Sequence, residues 1–140
     1  MSEPSSFPYP IPEYGTEPYW AACNEQRLVM QRCDLCEKFR WQPAPLCVYC
    51  GADAYRWDEL SGRGKIATWT VVTHPVHPAA AERVPYVVVE VELDEQADLR
   101  LLSNLVDATD EQIEFDSRVE MDYIEHKNGQ KLPVFRLVDA

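Results

Sequence analysis

Two CxxC pairs constrain this chain more than any other feature of its sequence. The first pair is Cys33 and Cys36, and the second pair, Cys47 and Cys50, follows after a ten-residue spacer. Each pair can turn two sulfurs toward one point, and two pairs complete the tetrahedral thiolate shell of a zinc site. We therefore predict one structural Zn²⁺ held by these four cysteines. Because four protein ligands leave no open position for a substrate, this metal should stabilise the fold rather than catalyse a reaction.

Other states of these cysteines are compatible with the spacing. Two disulfides or four free thiols are possible, but five cysteines of which four bind metal are typical of a reducing compartment. A rubredoxin-like iron site also uses two CxxC pairs, yet zinc is the commoner metal in a compact ribbon with so short a spacer. Residues 1–12 lack the pattern of a signal peptide, and no apolar run approaches membrane-spanning length. We expect a cytoplasmic protein with no membrane partner.

The charge of the chain bears on its ligands. Thirteen basic and 24 acidic residues give a net charge of −11. Residues 66–140 hold six basic and fifteen acidic side chains, a balance of 6 − 15 = −9, whereas residues 1–65 hold seven and nine. Binding of a polyanion by the whole surface is therefore disfavoured. Any anionic ligand should bind near the cysteine pairs.

The chain divides into three predicted parts: an N-terminal arm and helix (1–27), a zinc ribbon (28–60) and a β-barrel (61–140). The arm carries five of the eleven prolines among aromatic residues, so it is either a frayed terminus or an extended segment that docks on a partner. A helix capped by Thr16 is predicted over residues 17–26. The predicted ribbon has strands at 28–32, 39–41 and 55–57, with Gly51 at a positive φ.

Five strand-like runs follow a glycine-containing hinge at residues 61–64. All are rich in apolar, β-branched or aromatic residues and are separated by turn-forming residues. A helical turn is predicted over residues 107–113, after the third run, and Asn128-Gly129 should close the last hairpin. Five strands interrupted after the third are typical of an OB-fold barrel, and an open two-layer sheet is the alternative. The runs are 65–74, 84–93, 99–106, 118–126 and 132–138.

A catalytic centre is not evident from the sequence. His74 and His77 lie in a proline-rich loop, which favours an exposed segment over a general base. Cys23 belongs to neither CxxC pair and lies three residues from Trp20, so we expect a small buried hydrophobe. Alternating acids such as Glu90 and Glu92 are expected on a solvated strand face. We therefore predict a binding or bridging protein that has no catalytic activity alone.

Short motifs spread over nearly the whole chain carry a family resemblance. They are PYW at 18–20, RCDLC at 32–36, PAPLCVYCG at 43–51, SGRG at 61–64, VPYVV at 84–88 and LPVFR at 132–136. Together they resemble the acyl-CoA-associated family known as domain of unknown function 35. The resemblance implies a mainly β protein with a short N-terminal helix, a rubredoxin-like zinc ribbon and a five-stranded OB-fold. It also implies that the four cysteines are the zinc ligands.

The function implied by the resemblance is that of a non-catalytic subunit. Such a subunit associates with a thiolase or thiolase-like aldolase, in a hetero-oligomer that degrades a CoA thioester. The alternative is a nucleic-acid-binding zinc ribbon and OB-fold, which both parts permit by architecture. The acidic barrel argues against it, because phosphate repulsion should exceed base stacking. We therefore expect an acyl-CoA ligand and no nucleic acid.

Two sets of residues are candidates for ligand and partner contacts. The phosphates of CoA should approach the region where basic residues are not outnumbered, and a basic side chain that hydrogen-bonds a phosphate makes the strongest contact available there. Aromatic side chains in the arm and helix are the kind of anchor that dominates protein interfaces. The CoA candidates are Lys38, Arg40, Arg63 and Lys65, and the interface candidates are Tyr14, Tyr19 and Trp20.

Overall fold

A computed structural model describes residues 8–13 and 15–138 of the chain. It contains one α-helix and eight strands, together with two short 3-10 helices at Pro78–Ala80 and Asp110–Gln112. Within these residues, no helix is long and apolar enough to cross a membrane. The helix and strands are α1 (Glu17–Asn24), β1 (Leu28–Cys33), β2 (Phe39–Arg40), β3 (Tyr55–Leu60), β4 (Arg63–Val72), β5 (Tyr86–Leu93), β6 (Arg100–Leu105), β7 (Arg118–Glu125) and β8 (Lys131–Leu137).

Helix α1 begins where the sequence predicts but ends earlier. Thr16 occupies the N-cap position, yet its hydroxyl makes no cap hydrogen bond and donates to the Glu13 carbonyl oxygen over 2.7 Å instead. The predicted capping role of the Thr16 side chain is therefore wrong. The helix ends at Asn24 rather than Gln26, because Gln26 adopts a left-handed φ of 59° that cannot continue a right-handed helix.

The ribbon is a three-stranded antiparallel sheet in the order β2-β1-β3. Strand β1 is central and mostly buried, because it pairs with a strand on each edge. Strand β3 runs along the whole of β1, from Tyr55 opposite Cys33 to Leu60 opposite Leu28. It is three residues longer than the sequence predicts, and it carries the chain directly to the barrel.

The five strands β4 to β8 form a closed barrel in the order β4-β5-β6-β8-β7. Antiparallel pairing of β4 with β7 and parallel pairing of β6 with β8, at Leu105 and Phe135, complete the closure. Strand β5 shows why the sequence predicted strands here: every second residue, from Val87 to Leu93, is buried. The predicted mainly β fold with an OB-type barrel is confirmed, and the open two-layer sheet is wrong.

Two connections differ from the predictions in detail. The predicted hinge is shorter than expected, since Arg63 and Gly64 already belong to β4. A Cβ atom on Gly64 would lie 2.4 Å from the carbonyl oxygen of Glu92, so only glycine allows β4 and β5 to pair this closely. The predicted helical turn is present at Asp110–Gln112, where the Thr109 N–H donates to the Gln112 side chain over 2.8 Å.

Side-chain hydrogen bonds attach the helix and the ribbon to the barrel. The carboxamide of Asn24 in α1 accepts from the Lys131 N–H of β8 over 2.8 Å. At the ribbon, Gln96 in the β5–β6 turn accepts from the Phe39 N–H over 2.8 Å and donates to the Phe39 carbonyl oxygen over 2.9 Å. The Gln96 carboxamide thus pairs with the backbone of β2 on the edge that faces away from β1, in the way that a neighbouring strand would. The buried apolar residues of helix, ribbon and barrel form one continuous core.

The role of Gln96 can be tested at single amides. In Gln96→Ala, the Phe39 N–H loses its only described acceptor, so its hydrogen exchange should become faster by a factor of about ten or more. The Cys33 N–H, which donates to the Lys38 carbonyl oxygen on the other side of the same turn, should keep its exchange rate. The measurement is amide hydrogen exchange by NMR, with Gln96→Glu as the matched variant that retains an acceptor. Unchanged exchange at Phe39 in Gln96→Ala would show that the contact is not maintained.

Candidate metal centre

Each CxxC pair forms a tight turn with the same backbone geometry. The N–H of Glu37 donates to the Cys33 carbonyl oxygen over 3.0 Å, and the N–H of Gly51 donates to the Cys47 carbonyl oxygen over 2.8 Å. Both turns end in a residue with a left-handed φ, 64° at Glu37 and 80° at Gly51. The positive φ predicted at Gly51 is confirmed. The left-handed φ of Glu37 was not predicted, because this residue type rarely adopts that conformation.

The two turns bring four sulfur atoms together. The sulfurs of Cys33, Cys36, Cys47 and Cys50 all lie within 4.8 Å of one another. The distance from the Cys33 sulfur to the Cys50 sulfur is 3.6 Å, and so is the distance from Cys36 to Cys47. Tetrahedral zinc with Zn–S bonds of ~2.3 Å places its sulfurs ~3.8 Å apart, so the cluster fits this metal. A disulfide requires a sulfur separation of ~2.05 Å, and all described cysteines are free. The disulfide alternative is therefore wrong.

Backbone N–H groups favour thiolates at the first cysteine of each pair. In both turns, N–H groups two and three residues later point at the sulfur, and they lower the pKa of the Cys33 thiol. Burial raises the pKa of Cys47, but hydrogen bonds with the corresponding N–H groups and with the side chains of Cys36 and Cys50 together outweigh burial and bring it to about 6. A backbone hydrogen bond lowers the pKa of Cys50, yet the three neighbouring sulfurs raise it to about 11. Four thiolates so close together repel one another, and a bound cation would remove that repulsion.

The four basic residues predicted to contact CoA lie in different environments. Lys38 is exposed, and its ammonium group lies 4.5 Å from the ring centre of Tyr49 in the second turn. Arg40 is only 3% exposed, so it cannot contact a ligand from the surface. The prediction is wrong for Arg40, because β2 places this side chain beneath the ribbon surface.

The other two CoA candidates lie at the start of β4. Arg63 is exposed and makes no side-chain hydrogen bond or ion pair with the described residues, although Glu120 lies opposite it in the sheet. Lys65 is half-buried, with carboxylate oxygens of Glu92 and Asp116 at 3.6 and 3.8 Å. The structure therefore does not gather the four basic residues into one cluster. Arg63 and Lys38 are the two that are exposed and form no ion pair with the described residues.

The predicted interface residues are only partly available to a partner. Tyr14 lies outside the described residues. Tyr19 is 3% exposed, with its ring centre 4.5 Å from that of Trp41 and 4.9 Å from that of Trp20. The prediction is wrong for Tyr19, because its ring anchors α1 in the core of the chain itself. Trp20 is half-buried and packs against the same core.

Four of the twelve large apolar side chains that are exposed in the described part of the chain lie on the two cysteine turns. We call Leu35, Leu46, Val48 and Tyr49 the knuckle tip. They are 73%, 54%, 75% and 49% exposed. Each of them lies within two residues of a metal-site cysteine. Because the four sulfurs come together, the two turns carry these side chains at the same end of the ribbon. Sequence reasoning missed this surface, since apolar residues beside cysteines are equally compatible with burial.

Two of the side chains considered for catalysis, Cys23 and His77, have structural roles, and so does His126. Cys23 is fully buried, and burial raises the pKa of its thiol to about 12, so it stays protonated at neutral pH. The His77 ring nitrogen accepts from the Ala79 N–H over 3.1 Å and caps a 3-10 helix. His126 is buried in the β7–β8 turn, and the ring of Tyr9 from the N-terminal arm packs against it at 5.2 Å. The described part of the arm therefore contacts the chain's own barrel.

Two family models match successive parts of the chain. The model described as "ChsH2, rubredoxin-like zinc ribbon domain" matches residues 20–56, and "ChsH2, C-terminal OB-fold domain" matches residues 57–123. Among curated proteins, the chain is 40% identical over 120 residues to a probable enoyl-CoA hydratase alpha subunit of Thermomonospora curvata. That match covers 84% of this chain but only 36% of the relative. The chain is also 32% identical to a DUF35 domain-containing scaffold protein of Pyrococcus furiosus, over 74% of each.

Solved structures give the same result. The chain is similar to a chain of the structure described as "Ltp2-ChsH2(DUF35) aldolase", with a TM-score of 0.82 and 36% identity. The match covers 92% of this chain and 98% of that one. A DUF35 protein of unknown function from Sulfolobus solfataricus has the same fold, with a TM-score of 0.61 at 9% identity.

The metal site can be tested by metal analysis and one substitution. Elemental analysis of the purified protein should give one zinc and no iron per chain. Cys36→Ser should lose the metal and unfold the ribbon, since metal binding contributes on the order of 10 kcal/mol to folding in isolated zinc fingers. Cys23→Ser is the matched control, because it removes a buried thiol outside the cluster, and its zinc content should equal that of the parent. A folded Cys36→Ser protein without metal would contradict the prediction.

Proposed function

Since the chain belongs to the ChsH2 (DUF35) family of zinc-ribbon and OB-fold proteins, we propose that it is an accessory subunit of a thiolase-like enzyme acting on CoA thioesters. Its own chemistry is limited to binding, and the partner supplies the catalytic residues. The observation that carries this proposal is the likeness of the chain to a solved structure that is described as an aldolase. The match covers 92% of the chain at 36% identity. One structural Zn²⁺ on the four cysteines holds the ribbon.

The partner in this proposal is an aldolase or a thiolase. The Thermomonospora curvata relative bears the name of a hydratase subunit and is much longer, since the match covers 36% of it. That relative therefore has a further region to which its named activity can belong. This chain itself corresponds to the zinc-ribbon and OB-fold domains.

We place the docking surface for the partner at the knuckle tip. Its four large apolar side chains are exposed on the two cysteine turns, which the metal holds in place. Such a surface favours contact with an apolar recess of another protein. The charge around them is balanced: residues 34–56 hold three acidic and three basic side chains, whereas the whole chain has a net charge of −11. An acidic partner enzyme would be repelled least at this end of the molecule. Trp20 and Tyr14 remain proposed secondary contacts.

We assign the CoA contact to Arg63 and Lys38. Both are exposed and neither forms an ion pair with the described residues; Lys38 lies beside the cysteine turns, and Arg63 lies at the start of β4. The phosphates of CoA are the chemical class of anion that an exposed guanidinium or ammonium binds. Lys65 is a weaker candidate because two carboxylates already surround it.

The docking surface predicts a specific loss of assembly. Leu35→Ser combined with Val48→Ser should weaken binding to the purified partner enzyme about tenfold or more, since central apolar contacts each contribute ~1 kcal/mol or more. The matched control is Val76→Ser, which removes an equally exposed valine, 83% accessible, from the β4–β5 loop of the barrel. Affinity is measured by calorimetric titration, with zinc content confirmed equal to that of the parent. Equal loss in both variants, or in neither, would exclude the knuckle tip as the surface.

The CoA contact predicts a ranking of three substitutions. Arg63→Ala and Lys38→Ala should each weaken acyl-CoA binding by the complex roughly tenfold, because a charge-assisted hydrogen bond contributes ~1.5 to 3 kcal/mol. Lys65→Ala should have a smaller effect, since its charge is already neutralised. Binding is followed by titration of the assembled complex with a non-hydrolysable acyl-CoA analogue. If all three variants bind as the parent does, the partner holds the nucleotide alone.

A further inference from the structure

Arg40 is a buried cation whose described partners are all neutral. The residue is only 3% exposed. Its Nε donates to the Gln31 carboxamide oxygen over 2.8 Å, and its Nη2 donates to the Ala44 carbonyl oxygen over 2.7 Å. Its guanidinium lies 4.7 Å from the ring centre of Tyr55. Among the described residues, no carboxylate forms an ion pair with it, and Nη1 has no hydrogen-bond partner.

A charge in this position requires an explanation. Removing a guanidinium from water is unfavourable unless an anion or a full set of hydrogen bonds replaces the lost hydration. The three neutral contacts satisfy part of this requirement, but they provide no negative charge. The other ribbon arginines each have a carboxylate at 2.9 Å: Arg32 pairs with Asp58, and Arg56 pairs with Asp34. Arg40 is therefore exceptional among them.

The register of the ribbon sheet places Arg40 on the same face as the metal cluster. Arg40 lies opposite Gln31, and Tyr55 lies opposite Cys33. Residues two apart on a strand share a face and are ~7 Å apart, so Gln31 and Cys33 point to the same side of β1. The guanidinium, held between Gln31 and the Tyr55 ring, thus lies about one residue pair from the Cys33 sulfur.

We propose that Arg40 is the countercharge of the metal–tetrathiolate cluster. Four thiolates and one Zn²⁺ carry a net charge of 2 − 4 = −2, which is the anion that the neutral surroundings of Arg40 lack. The attraction acts in both directions: the cluster compensates the buried guanidinium, and the guanidinium stabilises the dianionic cluster relative to the metal-free site with protonated thiols, whose protons are released when zinc binds. This assignment rests on the proposed zinc site and deepens it, since it names a residue that tunes the metal without binding it.

The chain provides a matched control for this assignment. Arg32 is also an arginine of the ribbon, and its guanidinium also lies 4.7 Å from an aromatic ring centre, that of Phe39. However, Arg32 is next to Gln31 in β1, so its side chain points to the opposite face, and it has Asp58 as a partner. Its Nε also donates to the Glu37 carbonyl oxygen of the first cysteine turn over 2.8 Å, so an unchanged zinc affinity in Arg32→Gln would exclude a general effect of losing an arginine contact to the turns. Substituting Arg32 removes the same charge and the same kind of stacking on the other side of the sheet.

The first measurement is zinc affinity by competition with a chromogenic chelator. Arg40→Gln, which keeps hydrogen-bonding capacity but removes the charge, should lower the affinity at least tenfold at a pH where zinc displaces protons from the thiols. Binding then converts uncharged thiols into a dianion, and a nearby cation favours that conversion. Arg40→Lys keeps the charge and should stay within about threefold of the parent, as should Arg32→Gln. If Arg40→Lys loses as much affinity as Arg40→Gln, packing is responsible and the assignment is wrong.

A second measurement separates charge from packing in the folded protein. Iron can replace zinc in a tetrathiolate site, and the cluster then carries −1 with iron(III) and −2 with iron(II). Without the positive charge of Arg40, the reduced dianion is less favourable, so the reduction potential of iron-substituted Arg40→Gln should be lower than that of the parent. Arg32→Gln should leave it nearly unchanged. An unshifted potential in Arg40→Gln overturns the assignment, whereas a parent protein that binds no metal overturns the zinc site itself.

Discussion

The convergence of four sulfurs within 4.8 Å is the constraint on which the ribbon depends. The turns that carry the cysteines have no core of their own, because the side chains between and beside the cysteines, such as Leu35 and Val48, are directed to solvent. Apolar burial therefore cannot hold the two turns together. Contacts such as that of Lys38 with the Tyr49 ring are too few to do so alone. A cross-link at the sulfurs is needed, and a divalent metal would provide it while relieving the repulsion among thiolates.

The ribbon transmits this local order to the rest of the chain through β1. This strand ends at Cys33, pairs on both edges and contributes Leu28 and Met30 to the core shared with the barrel. Strand β3 leads into β4 after two residues, and Gln96 holds the edge of β2 from the barrel side. The knuckle tip and the exposed Arg63 are thus parts of one packed body, so a partner bound at the tip would meet a fixed arrangement of the barrel.

Local patterns in the sequence predicted most of this structure, and residues whose environment depends on distant contacts were predicted wrongly. The CxxC spacing and the alternation in β5 are short-range signals that directly report geometry. The burial of Tyr19 depends on Trp41, which is distant in the chain and has no periodic relation to it. Similarly, β2 has only two residues, so no alternation indicates which way Arg40 points. The early end of α1 depends on the backbone conformation of Gln26, which its residue type does not indicate.

The role proposed for Arg40 also explains why basic residues are relatively frequent near the cysteines. Basic residues around the cysteines were interpreted as a signal for an external anion, since the rest of the chain is acidic. A metal–tetrathiolate cluster is itself an anion, and it lies inside this region, so some of the basic residues are needed to balance the protein's own site. Burial distinguishes the two groups: a cation that serves the cluster is buried on the same face of the sheet, as Arg40 is, and a cation that serves a ligand must remain exposed, as Arg63 does. Charge counting along a sequence cannot make this distinction, because both groups contribute equally to the count.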